Sequence, residues 1–229
     1  RWAELSYPGY AAIVGALALV PLFGIQANNA QRWLQLPGTG MQFQPSELAK
    51  VAVVMALARH LRYAKRLDRF SGLLAPLLLA GIPMGLILVQ PDLGTALVFV
   101  PALGAMLFVA GARLRHLGYL AAAGAAAAPV VWFFGMGPGQ RGRITSFINP
   151  EADPFGAGWH LRKSMAAVAS GGATGEGFSS GAPVLLTRGF AGHTDFVFAT
   201  IAHEWGFVGG VAVLLLLFLF FSRGFEIAC

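Results

Sequence analysis

Charge is scarce in this chain, and cysteine scarcer still. Only 11% of the 229 residues are Asp, Glu, Lys or Arg, while 56% are hydrophobic, a balance that excludes an ordinary soluble domain of this length. The mean hydropathy of +0.66 points the same way. With Cys229 as the one cysteine, no intramolecular disulfide can form, and the absence of any CxxC pair or zinc-type spacing removes thiol redox chemistry and structural zinc. No Walker-type phosphate loop and no EF-hand loop occur either. The net charge of +6 does not imply nucleic acid, because the basic residues sit in short connections between apolar runs and no aromatic-basic binding module is interleaved with them. The chain opens on Arg1 without a signal peptide and stops just after an apolar run, which leads us to expect an interior portion of a longer protein.

What the chain does have is apolar length. A bilayer core of about 30 Å needs about 20 mostly apolar residues per helix, and about six such windows recur: residues 10–25, 46–61, 73–89, 93–110, 117–136 and 196–221. The expected fold class is therefore an all-α membrane protein, a polytopic bundle of transmembrane helices forming a single domain over residues 1–229. Residues 26–45, polar and rich in glycine and proline, read as a turn-rich loop. Ser46 reads as the cap of the second span, with Glu47 in its first turn where a carboxylate favours the helix dipole. Residues 137–194 form the one long polar segment, a connection of nearly sixty residues, and connections of that length are usually functional or disordered. Within it, residues 156–170 have helical spacing suited to the membrane interface, and the glycine run at 171–177 breaks any helix.

Lys and Arg in short loops mark the cytoplasmic side. Residues 62–69 and 113–115 and Arg223 all fall on one side if each run crosses once, which makes residues 137–194 an extracytoplasmic loop. Seven of the ten carboxylates, Glu47, Asp92, Glu151, Asp153, Glu176, Asp195 and Glu204, then lie in or near segments of the opposite, outer face. That distribution suggests chemistry on a molecule anchored in lipid.

Five motifs carry a family likeness: Gln31-Arg32-Trp33-Leu34, Gln44-Pro45-Ser46-Glu47-Leu48-Ala49-Lys50, Gln90-Pro91-Asp92-Leu93-Gly94-Thr95, the run 149–158 (NPEADPFGAG), and His193-Thr194-Asp195-Phe196. In this order and at these separations they resemble the SEDS family of RodA and FtsW. The resemblance implies a polytopic peptidoglycan glycosyltransferase of the bacterial cytoplasmic membrane, which polymerises the undecaprenyl-diphosphate-linked disaccharide-peptide lipid II and works with a class B penicillin-binding protein. It also implies that this chain corresponds to the third to eighth of about ten spans. Two departures stand out: Phe190-Ala191-Gly192 precedes the His-Thr-Asp motif where many members carry a Pro-Glu or similar pair, and His203-Glu204 replaces a Glu-Glu pair in the last span.

Such a reaction needs a base for the attacking sugar hydroxyl and positive charge for the departing pyrophosphate. Asp195, at the outer lip of the last span, is the expected catalytic base by the resemblance, general bases contributing about 10²–10⁴-fold; from the residues alone it is equally a helix cap. Glu47 and Lys50 lie three apart on one helical face and can meet, and such intramembrane ions mark functional sites by default. Substrate binding and helix pairing both remain open for them. Arg141, Arg143, Arg162 and Lys163 are the outer cations suited to pyrophosphate, or to lipid headgroups. Asp153, with Glu151, is a further substrate-orienting candidate, and its oxygens admit a divalent cation; no metal spacing supports one and no organic cofactor is implied. Asp92 reads as a turn residue. Glu204, nine residues past Asp195 and roughly 13 Å further along a helix, reads as a buried structural partner. A flippase or transporter of the lipid-linked precursor is the alternative function, weakened because the carboxylates gather at one face rather than the midplane; a scaffold that only binds a partner enzyme is a third.

Overall fold

The computed structural model describes residues 2–27, 30–35, 41–64, 67–149, 151, 157–177 and 196–228. Helices dominate, as the apolar windows require. They are α1 (Trp2–Phe23), α2 (Pro45–Arg62), α3 (Phe70–Val89), α4 (Leu93–Val109), α5 (Leu114–Val130) followed by a π-helical turn (Val131–Gly135), α6 (Pro138–Ile148), α7 (Ala157–Ser170) and α8 (Val197–Ala228). Four of them, α1, α3, α5 with its π-helical extension, and α8, are long and apolar enough to cross a membrane. α4 is apolar but has 17 residues, and α2 carries Glu47, Lys50, Arg59 and Arg62 within its 18. The chain divides into two compact units, residues 1–131 and 132–229.

In the first unit α1 to α4 pack together and α5 packs on α4, with the His116 ring of α5 6.0 Å from that of Phe70 on α3. Because α3 is apolar on every side, which residues it buries follows the helical period rather than polarity. On α3, Leu73, Pro76, Ala80, Pro83 and Ile87 face inward, while Leu74, Leu78 and Ile82 face out. Lipid tails are as apolar as leucine, so helices associate in a bilayer by close approach, and small or compact residues at the seam permit it. Pro76 and Pro83 sit inside the helix, as transmembrane helices commonly tolerate. The core joins Leu17, Ala49, Val53, Leu57, Ala80, Ile87, Ala96 and Phe99, and a second cluster gathers Leu67, Leu73, Leu107 and Ala112.

Three expectations need correction. Residues 26–45 are not merely a loop: β1 (Ile25–Ala27), β2 (Ala30–Gln35) and β3 (Gln42–Phe43) form an antiparallel sheet in the order β1-β2-β3. Ile25 pairs with Trp33 and Leu34 with Phe43, cross-strand pairs of the β-branched, aromatic and aliphatic kind that stabilise a two-sided ribbon. Secondly, Ser46 does not cap α2. The helix starts at Pro45 with Gln44 at the cap position, and the Ser46 hydroxyl is buried without a partner among the described residues. Thirdly, the segment 137–194 is helical in its first part, where α6 accompanies the anticipated α7. Pro138 at the first helical position and Gln140, which accepts from the Gly137 N–H at 3.1 Å, start α6. Residues 178–194 lie outside the described residues.

In the second unit α6 packs on α7 and α7 on α8. α8 runs for 32 residues but is interrupted at Gly206, where φ is 66° and ψ is −161°.

Candidate functional site

The first unit has two chemically distinct ends. At one, Arg59 donates to the Glu4 carbonyl at 3.2 Å and lies 4.8 Å from the Tyr7 ring centroid, and Arg113 reaches Asp68 at 3.5 Å. Asp68 and Arg113 lie in the basic turns predicted to be cytoplasmic, and Arg59 stands in the last turn of α2 that leads into the first of them. At the other end the hairpin folds over the start of α4. There Arg32, on β2, donates through Nη2 to the Pro91 carbonyl at 2.6 Å and through Nε to the Gln90 carbonyl at 3.3 Å, and its Nη1 stands 3.7 Å from the Asp92 carboxylate.

Asp92 is more than the turn residue that its Pro-Asp context suggests. Its side chain accepts from the Thr95 N–H at 3.4 Å and the Thr95 hydroxyl at 3.0 Å, capping α4, and from the Gln44 amide at 3.3 Å. One buried carboxylate, 8% exposed, thereby ties β2, the start of α2 and the start of α4 together. The neighbouring Gln90 is also buried and donates to the Leu17 carbonyl at 3.1 Å. Sequence reasoning missed Arg32 and Gln44 as members of this site. The available signal was that both stand in polar motifs next to predicted spans.

Glu47 and Lys50 do meet, at 2.8 Å. The ammonium stem borders a shallow apolar groove lined by Val53, Leu57, Val98, Phe99 and Leu103, so a charged head sits at the mouth of a lipid-compatible surface. The pair is only partly buried, which leaves the carboxylate open to a ligand.

In the second unit the four predicted cations separate into two kinds. Arg141 spends Nη2 on the Phe133 carbonyl at 2.8 Å, fastening α6 to the π-helical turn, and Lys163 lies 5.7 Å above the Trp159 ring. Arg143 and Arg162 are exposed, and among the described residues neither is paired with a carboxylate. No described contact joins the α6 cations to those of α7. Asp195, Asp153 and His193 lie outside the described residues. Glu151 is exposed, with its N–H donating to Asn149 at 3.2 Å, and among the described residues no three His, Cys, Asp or Glu side chains gather as a metal site would require.

The buried ionisable group of α8 is His203 rather than Glu204. His203 is 1% exposed; its Nδ1 lies 2.9 Å from the Ser170 hydroxyl and its Nε2 3.6 Å from the Glu176 carboxylate. The latter separation suits an ion pair and is too long for a hydrogen bond. Glu204 is half-buried beside it. An imidazole inside an apolar run was the sequence signal for this contact, and its partners 33 and 27 residues away were not visible.

Comparison with known proteins agrees with this architecture. The model of the FtsW/RodA/SpoVE family, described as cell cycle proteins, matches residues 1–229. The peptidoglycan glycosyltransferase MrdB of Escherichia coli K12 is 38% identical over 219 residues, covering 96% of this chain and 59% of that protein. A probable peptidoglycan glycosyltransferase FtsW of Trichlorobacter lovleyi is 36% identical over 234 residues, covering 100% of this chain and 59% of the relative. Among solved structures, one described as the structural coordination of polymerization and crosslinking by a peptidoglycan synthase complex superposes with a TM-score of 0.80 at 36% identity, covering 100% of this chain and 62% of that one. Thermus thermophilus rod shape determining protein RodA superposes with a TM-score of 0.62 at 31% identity, over 100% of this chain and 58% of that one. The chain thus spans about three fifths of the length of these relatives. With its helical, multi-pass membrane architecture and a match along its whole length, the chain belongs to the FtsW/RodA/SpoVE family of cell cycle proteins.

Proposed function

We propose that the protein is a peptidoglycan glycosyltransferase of the bacterial cytoplasmic membrane, polymerising lipid II into glycan strands at the outer face for cell shape or division. The observation that carries this reading is the 36–38% identity, over nearly the whole chain, to relatives named as peptidoglycan glycosyltransferases. A flippase has no comparable support.

In the proposed reaction Asp195 takes the proton from the 4-hydroxyl of the acceptor sugar. The oxygen attacks the anomeric carbon of the donor, the bond to the lipid diphosphate breaks, and the configuration inverts in a single displacement. Arg143 and Arg162, exposed and without carboxylate partners among the described residues, are the best placed by chemistry to receive the diphosphate, guanidinium matching phosphate oxygens bidentately. Arg141 and Lys163 assist as positive charge, Arg141 having already committed one nitrogen to Phe133. Asp153 orients substrate, with or without a divalent cation. Glu47 and Lys50 meet the substrate at the lipid-facing groove. A class B penicillin-binding protein is the proposed partner, supported by the similarity to a synthase complex that couples polymerization to crosslinking.

The test is Asp195→Asn in the purified full-length protein with its partner, assayed for glycan formation on lipid II beside a thermal melt. Asparagine keeps the size and capping ability of aspartate but accepts no proton, so the melt should be unchanged while the rate falls by about 10²–10⁴-fold. Glycan formation near the wild-type rate would move the base to Asp153 or Glu151.

A further inference from the structure

We propose that the turn of residues 171–177 is a splint inserted into a break in α8, and that Gly175 and Gly206 are thereby positioning residues for the acid that precedes this helix. The proposal rests on the Asp195 reading given above.

In an unbroken helix the N–H of Phe207 would donate to the His203 carbonyl, and that of Val208 to the Glu204 carbonyl. Neither bond forms. Phe207 donates instead to the Gly172 carbonyl at 2.8 Å and Val208 to the Ala173 carbonyl at 3.2 Å. The two carbonyls left over are taken by the far end of the same turn: Glu176 N–H donates to His203 at 3.1 Å and Gly177 N–H to Glu204 at 3.1 Å. Four backbone groups flanking the break are thus satisfied by one segment. An unsatisfied backbone group in hydrocarbon costs several kcal/mol, so the interruption and the inserted turn require each other.

Space and side chains agree. Gly206 has φ 66° and ψ −161°, a region that residues with a Cβ avoid, and a Cβ there would collide with the backbone of Ala173 and Gly175. A Cβ on Gly175, whose φ is 83°, would run into the Glu204 carbonyl. Ser170 and Glu176, one at each side of the turn, both face the buried His203, which pins the insertion to the first half of α8. The alternative arrangement is a continuous α8 with the turn expelled. It would restore the helical bonds across residue 206 and give up the four bonds to the turn. The direction of residues 197–205 relative to 207–228 differs between the two arrangements. Asp195 stands two residues before Val197 in the sequence, so the splinted state sets the course of the half-helix that follows the base.

The experiment is Gly206→Ala in the full-length protein with its partner, read by hydrogen exchange and by steady-state glycan synthesis. Alanine should close α8. Peptides carrying the Glu176 and Gly177 amides should then exchange faster, while those carrying Phe207 and Val208 stay protected because they regain their helical acceptors. The turnover number should fall by about 10²-fold, the scale of an ångström of misplacement, with KM for lipid II within about threefold, since binding groups elsewhere are untouched. Loss of protection in both peptides, or in neither, would overturn the splint. A normal turnover number with the expected exchange pattern would overturn the positioning role alone, even with Asp195→Asn inactive. An active Asp195→Asn would remove the catalytic reading and leave the exchange result to decide the splint. If Gly206→Ala fails to fold, Gly175→Ala carries the same two readouts, and aggregation of both would refute the closed state that the proposal requires.

Discussion

The carboxylate of Asp92 offers a perturbation whose cost can be worked from its contacts. Asp92→Ala removes the cap on α4, typically about 1 kcal/mol. It also removes the acceptor for the Gln44 amide, a hydrogen bond to a charged group and therefore about 1.5–3 kcal/mol. The Arg32 contact adds little, because at 3.7 Å it is long and the guanidinium is partly open to solvent, and such pairs contribute about 0–1 kcal/mol. The expected loss is about 3 kcal/mol. Asp92→Asn keeps one acceptor oxygen for the Thr95 N–H cap and places an NH2 where Oδ2 accepted from Gln44, a contact that a turned Gln44 amide can meet with its oxygen, so about 1 kcal/mol is expected for the lost charge. The assay is the unfolding midpoint in detergent for both variants and for each combined with Arg32→Gln. The asparagine variant should lie closer to wild type than to alanine, and Arg32→Gln should add less on the asparagine background than alone. If alanine and asparagine cost the same, charge rather than hydrogen bonding dominates and the reasoning fails. An alanine variant within about 0.5 kcal/mol of wild type, the range of ordinary surface substitutions, would fail it in the opposite way.

Two further expectations concern charge in the membrane. Lys50→Met leaves Glu47 without its partner at 2.8 Å and should cost about 1 kcal/mol of stability, the upper range for a partly open pair, together with activity. The exchanged pair Glu47→Lys, Lys50→Glu should recover only part, because it puts a cation in the first turn of α2 against the helix dipole; wild-type yield and activity for Lys50→Met would show the pair to be dispensable. Single cysteines replacing Ala64 and Ser179, in Cys229→Ser protein, should react with an impermeant reagent from opposite sides of the membrane, following the basic-loop bias. Labelling of both from one side would refute the topology.

Hydropathy and motif order were enough to place six helices, four of them long and apolar enough to cross a membrane, to foresee the helix at Ala157–Ser170 and to set Glu47 beside Lys50. Those features are local: a helix satisfies its backbone within itself, and residues three apart meet on one face whatever the rest of the chain does. The sheet at Ile25–Phe43 was harder to see, because its strands are short and interrupted by glycine and proline, and what stabilises them is contact with the ends of α1 and α2. The same limit explains Asp92, which a Pro-Asp pair presents as an ordinary turn. Its role as a joint depends on Arg32 and Gln44, 60 and 48 residues earlier in the sequence. His203 could be noticed as an odd imidazole in an apolar run, yet only folding brings Ser170 and Glu176 to its two nitrogens. The break at Gly206 is the clearest case. A glycine inside an apolar run is compatible with an uninterrupted helix, and α8 departs from one because a turn thirty residues upstream supplies the bonds that the break gives up. Local hydrogen bonding and hydropathy determined where the helices are; non-local partners, which satisfy the buried polar groups that local bonds leave over, decided where they bend and which distant charges meet.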